Sequence, residues 1–255
     1  MKELGLQLYT IRDFMKTEED IRESFQKMRK YGYTQAQTAC CAIPYADFGR
    51  IAKEEGIQIV GTHDNFDLMV NDFDQALENH LALGTTNMGI GGNKSYSVDE
   101  VKAFIEKANI IGEKAAKHGM RFTYHNHSHE FFKWENGKTT MDMLVEGLNP
   151  ETTSFVLDTY WVQYGGGDVR YWIEKLAGRI DILHLKDLRI AFDKDQPATP
   201  KITEIGNGNL NWELILDTAK KCSVKYYVVE QDCNFKVNCF ASIRSSAEYL
   251  KKFMD

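Results

Sequence analysis

This 255-residue chain has no CxxC pair, no excess of basic residues and no linker-like or low-complexity stretch. Nor does it have an apolar run approaching the roughly 18 residues that read as a membrane span. Each absence excludes something. The five cysteines are odd in number and irregularly spaced, which fits a reducing compartment better than a disulfide framework and argues against cysteine-bound zinc. A formal charge of −6 speaks against nucleic acid as the main partner, because a phosphate backbone is met by clustered basic surface. Small anions stay open, since one or two local cations can hold them. The opening "MKELGLQLYT" enters a strand-like pattern directly, without the apolar run of a signal peptide. The expectation is therefore a cytoplasmic protein whose partners are neither membrane nor nucleic acid. A phosphate loop is also missing: in "GIGGNKS", Met88 and Asn93 stand where the pattern G-x-x-x-x-G-K-[ST] needs glycine.

What is present has a rhythm. Eight β-rich runs, "LGLQLYT", "YTQAQTA", "IQIVGTH", "TNMGIGG", "MRFTYHNH", "TSFVLDT", "IDILHLKD" and "KYYVVEQD", alternate with helical stretches. In the latter, apolar residues recur every three or four positions, as in Glu18 to Lys30, Val98 to His118 and Trp212 to Lys221. Gly32, Gly56, Gly84, Gly119 and Gly178 stand just before a strand-like run, with Asn149-Pro150 in the same place once more. Glycine takes the left-handed conformation that stops a helix, so "KYGY", "EEGI", "ALGT" and "KHGM" read as helix stop and strand start. The markers recur at the length of one βα unit. Eight units predict an α/β fold, a (β/α)8 TIM barrel forming a single domain over residues 1–255; about 250 residues is typical of that fold. A doubly wound open sheet is the alternative, and it would bring fewer strands or a phosphate loop after the first.

In a barrel the C-terminal ends of the strands converge on one rim. Those ends carry Gln7 and Tyr9; Gln37; His63; Gly91 and Gly92; His125, His127 and Glu130; Asp158; His184 and Lys186; Glu230 and Asp232. Buried charge is costly unless paired or bound to a metal, so the convergence of His, Asp and Glu predicts a metal or polyol site. "YHNHSHEF" is the strongest flag: three of the seven histidines alternate there, followed at once by Glu130. His125, His127 and His129 share one face only if the strand stays extended. "VLDTYW" ends an apolar strand in Asp158, with Tyr160 and Trp161 able to wall a sugar ring. In "ILHLKD", His184 and Lys186 point to the same side, while Asp187 faces outward as a helix or loop cap. "YYVVEQD" ends in Glu230, whose natural company is a cation. Other features read as bland: "YGGGD" as a turn with Asp168 starting the sixth helix, Cys40-Cys41 as packing, "KTEED" as a solvated helix start. The long segment from Leu188 to Asn211, with "TEIGNGNLNW", reads as a lid; Glu204 either reaches the site or anchors the loop.

The order "YHNHSHEF", "VLDTYW", "HLKD", "EIGNGNLNW" and "VVEQD" on a βα rhythm resembles the xylose isomerase-like TIM-barrel superfamily of sugar phosphate isomerases and epimerases. The resemblance runs through essentially the whole chain, and its motifs specify the superfamily rather than a substrate. It implies one divalent metal ion (Mn, Mg, Co or Zn) held by Glu, Asp, His and Glu. Asp158, His184 and Glu230 match the last three ligands. Glu130 is expected to swing back as the first, with His125 or His127 as the alternatives. It also implies isomerisation or epimerisation of a sugar or sugar phosphate by proton abstraction next to a carbonyl. Glu230 would serve one face of the sugar and His127 or Glu130 the other; His63, His125, Trp161, Lys186, Glu204 and Gln7 would bind substrate. Relatives with a strand-five "YHNH" suggest a second outcome, a lyase or dehydratase acting on a keto-sugar or 3-keto-glycoside. A non-catalytic sugar-binding barrel is a further alternative, and an endonuclease IV-like nuclease the remotest, since strand four ends in "GIGG" and Trp161 follows "DTY". The partner implied is a small-molecule sugar; self-association into a homo-oligomer is left open.

Overall fold

The computed structural model describes residues 1–254. Eight parallel strands form the barrel: β1 (Gly5–Gln7), β2 (Gln35–Ala39), β3 (Gln58–His63), β4 (Asn87–Ile90), β5 (Arg121–His125), β6 (Thr153–Asp158), β7 (Ile180–Leu185) and β10 (Tyr226–Val229). Between β7 and β10 an antiparallel hairpin is inserted, β8 (Asp187–Asp193) with β9 (Gln196–Thr203). The barrel strands run in the order β3-β2-β1-β10-β7-β6-β5-β4, every neighbour parallel. Helices fill the outer ring: α1 (Glu18–Tyr31), α2 (Tyr45–Glu54), α3 (Phe66–Asn71), α4 (Phe73–Leu83), α5 (Val98–Ala116), α6 (Thr140–Gly147), α7 (Thr159–Tyr164), α8 (Val169–Lys175), α9 (Trp212–Lys221) and α10 (Cys239–Leu250). The fold is a nearly closed, single-domain TIM barrel, and each of the eight strand-like runs supplies one of its strands. Among the described residues no helix is long and apolar enough to cross a membrane.

The punctuation read from sequence has a physical basis. Gly32 and Gly84 cap α1 and α4 at φ of 101° and 71°, and both N–H groups satisfy carbonyls of the preceding turn. "KTEED" supplies a reciprocal cap, with Thr17 Oγ1 accepting from Asp20 N and Asp20 from Thr17 N. Asp168 caps α8 through Tyr171 N.

Two features position the site. First, period-two alternation places Val156, Ile182 and Val228 inside the barrel with Val60, a dry plug of residues no more than 2% exposed. Two positions further along the same strands come Asp158, His184 and Glu230, so the polar side chains stand directly above an apolar floor. Second, the seam between β3 and β4 closes through a few specific bonds. Asp64 N donates to Gly89 O at 2.8 Å, and Asn87 Nδ2 donates to Val60 O at 2.8 Å. Gly89 N donates to Thr62 Oγ1 at 3.0 Å. That hydroxyl is held from outside by buried His80, whose Nδ1 lies 2.7 Å from Ala76 O and whose Nε2 lies 2.8 Å from Thr62 Oγ1. A carbonyl only accepts, so Nδ1 carries the proton and Nε2 takes the Thr62 hydrogen.

Gly89→Ala would place a methyl 2.3 Å from Thr62 O and 2.4 Å from Thr123 Oγ1, the first of these being backbone. A loss of about 1–3 kcal/mol, the usual cost of an overpacked interior, is expected, seen as a Tm lower by about 3–10 °C. An unchanged Tm would show that this seam opens without cost.

Candidate active site

The rim bowl is a cavity of about 370 Å3 whose lining includes Tyr9, His63, His125, His127, Lys186, Glu230 and Asp232. At its floor His125, Asp158, His184 and Glu230, all buried, bring one ligand-type atom each within 4.8 Å of one another. His125 Nε2 lies 3.3 Å from Asp158 Oδ2. His184 Nδ1 lies 3.7 Å from Asp158 Oδ2 and 2.9 Å from Glu230 Oε2. Ligands around one divalent ion with bonds of about 2.1 Å sit roughly 3–4 Å apart, so a small contraction suffices.

Hydrogen bonds fix which nitrogen faces inward. Gln37 is oriented by its amide nitrogen, which donates to Thr62 O at 3.4 Å. Its Oε1 therefore meets His184 Nε2 at 2.5 Å and must accept from it. The second nitrogen, Nδ1, is then turned to Glu230 Oε2 at 2.9 Å, where a cation would take the place of its proton. His125 Nδ1 likewise lies 3.2 Å from Gly91 O, which turns Nε2 to Asp158 Oδ2 at 3.3 Å. An outer hydrogen bond that fixes the tautomer of a ligating histidine is the usual arrangement at metal centres. The donor set of two imidazoles and two carboxylates thus fits a divalent cation. At His63 the logic gives the opposite result. Gln7 Oε1 accepts from Tyr9 N at 3.2 Å, so its Nε2 donates to His63 Nδ1 at 3.2 Å. His63 Nε2 then carries a proton, buried and without a partner.

Charge balance centres on Lys186, which is 1% exposed. Its Nζ lies 3.1 Å from Glu230 Oε2, 3.5 Å from Asp158 Oδ2 and 2.8 Å from Asp232 Oδ2. Burial opposes its charge, but the three carboxylates overcome that and hold its pKa above the usual lysine range. In turn Lys186, against the same burial penalty, keeps Asp158 and Glu230 below the carboxylate range. Asp232 is the exception: burial and the neighbouring Glu230 charge push it up to about 6. Burial likewise opposes charge on His184, yet Glu230 and Asp158 raise it to about 9. One fixed ammonium faces three carboxylates, so this floor holds a proton on His184 where the charge of a cation would otherwise go. His127 is driven well below its ordinary value by burial and by His125, and His63 by burial, His125 and His184.

Of the residues expected from sequence, His63, His125, His127, Asp158, His184, Lys186, Glu230 and Gln7 converge here. Trp161 stands beside them, its ring 5.4 Å from that of His127 and 5.1 Å from Lys186 Nζ. Two lie elsewhere. Glu130 is completely buried in its own loop, where Tyr124 Oη donates to Oε1 at 2.8 Å and His127 N to Oε2 at 2.9 Å. The strand ends at His125 and the chain tightens into a 3-10 turn over His129–Phe131. The three histidines therefore do not share one face; His127, His129 and Glu130 form a separate group, and His125 stands with Asp158, His184 and Glu230. Glu204 anchors the loop, accepting from Ser242 Oγ at 2.7 Å, Thr203 Oγ1 at 3.0 Å and Lys236 N at 3.2 Å. The expected lid is in part the β8–β9 hairpin, and "EIGNGNLNW" wraps Asp187. That carboxylate is buried rather than outward-facing, and it accepts from Leu188 N, Gly206 N, Gly208 N and Trp212 Nε1 at 2.8–3.1 Å. Gln37, within β2, and Asp232, just past β10, are strand-end residues to which the sequence pattern assigns no role; their place on the rim is the available signal.

Residues 3–252 match the profile of the xylose isomerase-like TIM barrel family. The chain belongs to that family. A sugar phosphate isomerase/epimerase from Parabacteroides distasonis has the same fold at TM-score 0.81, with 24% identity over 98% of this chain and 93% of that one. A probable 3-DHS dehydratase from Bacillus anthracis superposes at 0.71, with 15% identity over 98% of each chain. In sequence, an inosose dehydratase from Geobacillus thermodenitrificans is 30% identical over 95 residues, 37% of this chain and 31% of that protein. The match to this relative spans less than a third of its length. Isomerase/epimerase and dehydratase names both occur among the proteins it resembles.

Glu204 gives a pH prediction. Burial opposes its charge, but the Ser242, Lys236 and Thr203 donors prevail and lower its pKa to about 2. A carboxylate depressed on folding stabilises above its unfolded value near 4.3, and that stability is lost as pH falls toward 2. Glu204→Gln should cost about 1–3 kcal/mol at pH 7. It should also flatten the stability–pH curve between about pH 4 and 2, measured by urea unfolding.

Proposed function

We propose that the protein removes a proton beside the carbonyl of a keto-sugar derivative and expels the neighbouring oxygen substituent, a lyase or dehydratase reaction. The observation that carries this reading is the inequality of the bowl's walls. Its lining carboxylates, Glu230 and Asp232, come from one strand end and both pair with Lys186; His63, His125 and His127 line the rest. Epimerisation is served by two like groups that exchange a proton across the sugar, as the resemblance to ketose epimerases implies. Elimination needs unlike groups, a base for carbon-bound hydrogen and an acid for the departing oxygen. The inosose dehydratases among the relatives point the same way.

In this reading His125, Asp158, His184 and Glu230 hold one divalent ion of the manganese, magnesium, cobalt or zinc class. When bound, it supplies positive charge that offsets the negative charge developing on the substrate carbonyl oxygen. His127, kept unprotonated by burial, accepts the carbon-bound proton, and the electron pair moves toward the carbonyl. His63 donates its Nε2–H to a substrate oxygen, held in that tautomer by Gln7. As the pair returns, the adjacent C–O bond breaks and Lys186 protonates the leaving oxygen, because hydroxide or alkoxide is a stronger base than an amine. The products are an unsaturated ketone and water or an alcohol. Trp161 walls the sugar; Glu130 and Glu204 keep loops in place. Isomerisation or epimerisation shares the first step, and the Glu230 carboxylate on the facing wall is the feature that favours it as a second reading.

Incubating manganese-loaded protein in D2O with ketoses, their phosphates and 3-keto-glucosides separates the two. Release of aglycone or water with a conjugated product is expected; deuterium uptake without any loss replaces the lyase with an isomerase. His127→Asn should lower kcat by about 10²–10⁴-fold.

Metal analysis tests the ligand set. After dialysis, Asp158→Asn and His184→Ala should lose the bound ion, whereas Glu130→Gln should retain one equivalent. The opposite pattern would return Glu130 to the coordination shell.

A further inference from the structure

We propose that the substrate carries an apolar group that seats in a second cavity adjoining the bowl, so that the substrate class is a keto-glycoside with an apolar aglycone. This rests on the elimination reading for what happens to that group, and on geometry alone for where it sits. The second cavity, about 310 Å3, is walled by Leu8, Met15, Cys41, Ala42 and Phe48, with Arg12 and Lys16 at its side. Ala39 and Cys40 line both this cavity and the bowl. The facing wall is shared as well. Arg12 lines the second cavity, and its Nη1 donates to Tyr9 O at 2.9 Å and Asp232 O at 3.2 Å, both from residues lining the bowl.

The boundary is built with unusual backbone. Cys40 holds φ of 59°, the left-handed region that a residue with a Cβ rarely adopts. Its N–H donates to His63 O at 3.1 Å. Conformational strain of this kind persists where surrounding structure enforces it, often at ligand sites. Here it turns the chain away from the barrel at the point where one cavity gives way to the other.

The two cavities differ in chemistry. The bowl is imidazole, ammonium and carboxylate, suited to hydroxyl and carbonyl oxygens. Leu8, Met15, Ala42 and Phe48 give the second cavity a mainly hydrocarbon wall, against which an apolar group gains by leaving water. A ligand spanning both is polar at one end and apolar at the other, as a glycoside is.

The test compares methyl and cyclohexyl 3-keto-glucosides, whose alcohols depart with similar ease, on manganese-loaded protein. Exposed Ala42 is changed to Trp to fill the second cavity without touching the bowl. Wild type should favour the cyclohexyl compound at least tenfold in kcat/KM. Ala42→Trp should bring that ratio to about one while leaving the methyl compound within twofold. Equal rates in wild type, or a preference that survives Ala42→Trp, overturn the proposal. A second readout needs no variant. Bound cyclohexyl compound should slow maleimide labelling of Cys41, located by peptide mass, at least fivefold more than the methyl compound; equal protection overturns the proposal. If neither compound is cleaved, elimination falls, and the labelling result alone decides the apolar subsite.

Discussion

The site depends on one buried ammonium. Lys186 sits among Glu230, Asp158 and Asp232 within 3.5 Å of each, at a depth where an unpaired charge of either sign is costly. Without it three carboxylates would share a small enclosed space, and their mutual repulsion would force protonation or rearrangement. With it, Asp158 and Glu230 stay ionised and the floor keeps a surplus of negative charge. His184 responds by holding a proton, and the same surplus makes the floor attractive to a divalent cation.

Around this charge balance, neutral amides do the positioning. Gln7 and Gln37 are each oriented by a backbone group, and each hands that orientation on to a histidine. One makes His63 a donor toward the bowl and the other turns His184 Nδ1 toward the carboxylates. The buried Val60, Val156, Ile182 and Val228 plug closes the floor from beneath with apolar side chains, and a low-dielectric support strengthens these interactions. The polar side chains of the bowl therefore stand at strand ends or just beyond them, while the longer loops mainly brace one another.

Much of the architecture was legible along the chain. Glycines such as Gly32 and Gly84 mark helix ends because few other residues take left-handed backbone without strain, and period-two strands announce which side chains face inward. Asp158, His184, Lys186 and Glu230 could be placed on one rim for that reason. Glu130 could not, because its position depends on where the extended chain of strand five stops. Beyond His125, a buried tyrosine hydroxyl and a backbone N–H claim both its oxygens. Glu204 and Asp187 were ambiguous for a similar reason: "EIGNGNLNW" looks like a catalytic loop, yet most of its N–H groups near Asp187 turn inward to that one carboxylate.

Local pattern alone determined the βα repeat, the barrel and the set of polar strand ends, since hydrophobic periodicity and helix stops act over a few residues and need no knowledge of distant partners. Tertiary structure decided which histidine joins the carboxylate floor, which tautomer each imidazole takes, and that a carboxylate next to three histidines serves its own loop. Those outcomes depend on hydrogen bonds between groups up to 147 positions apart in sequence, such as Gln37 with His184. Only the closed barrel brings such pairs within reach.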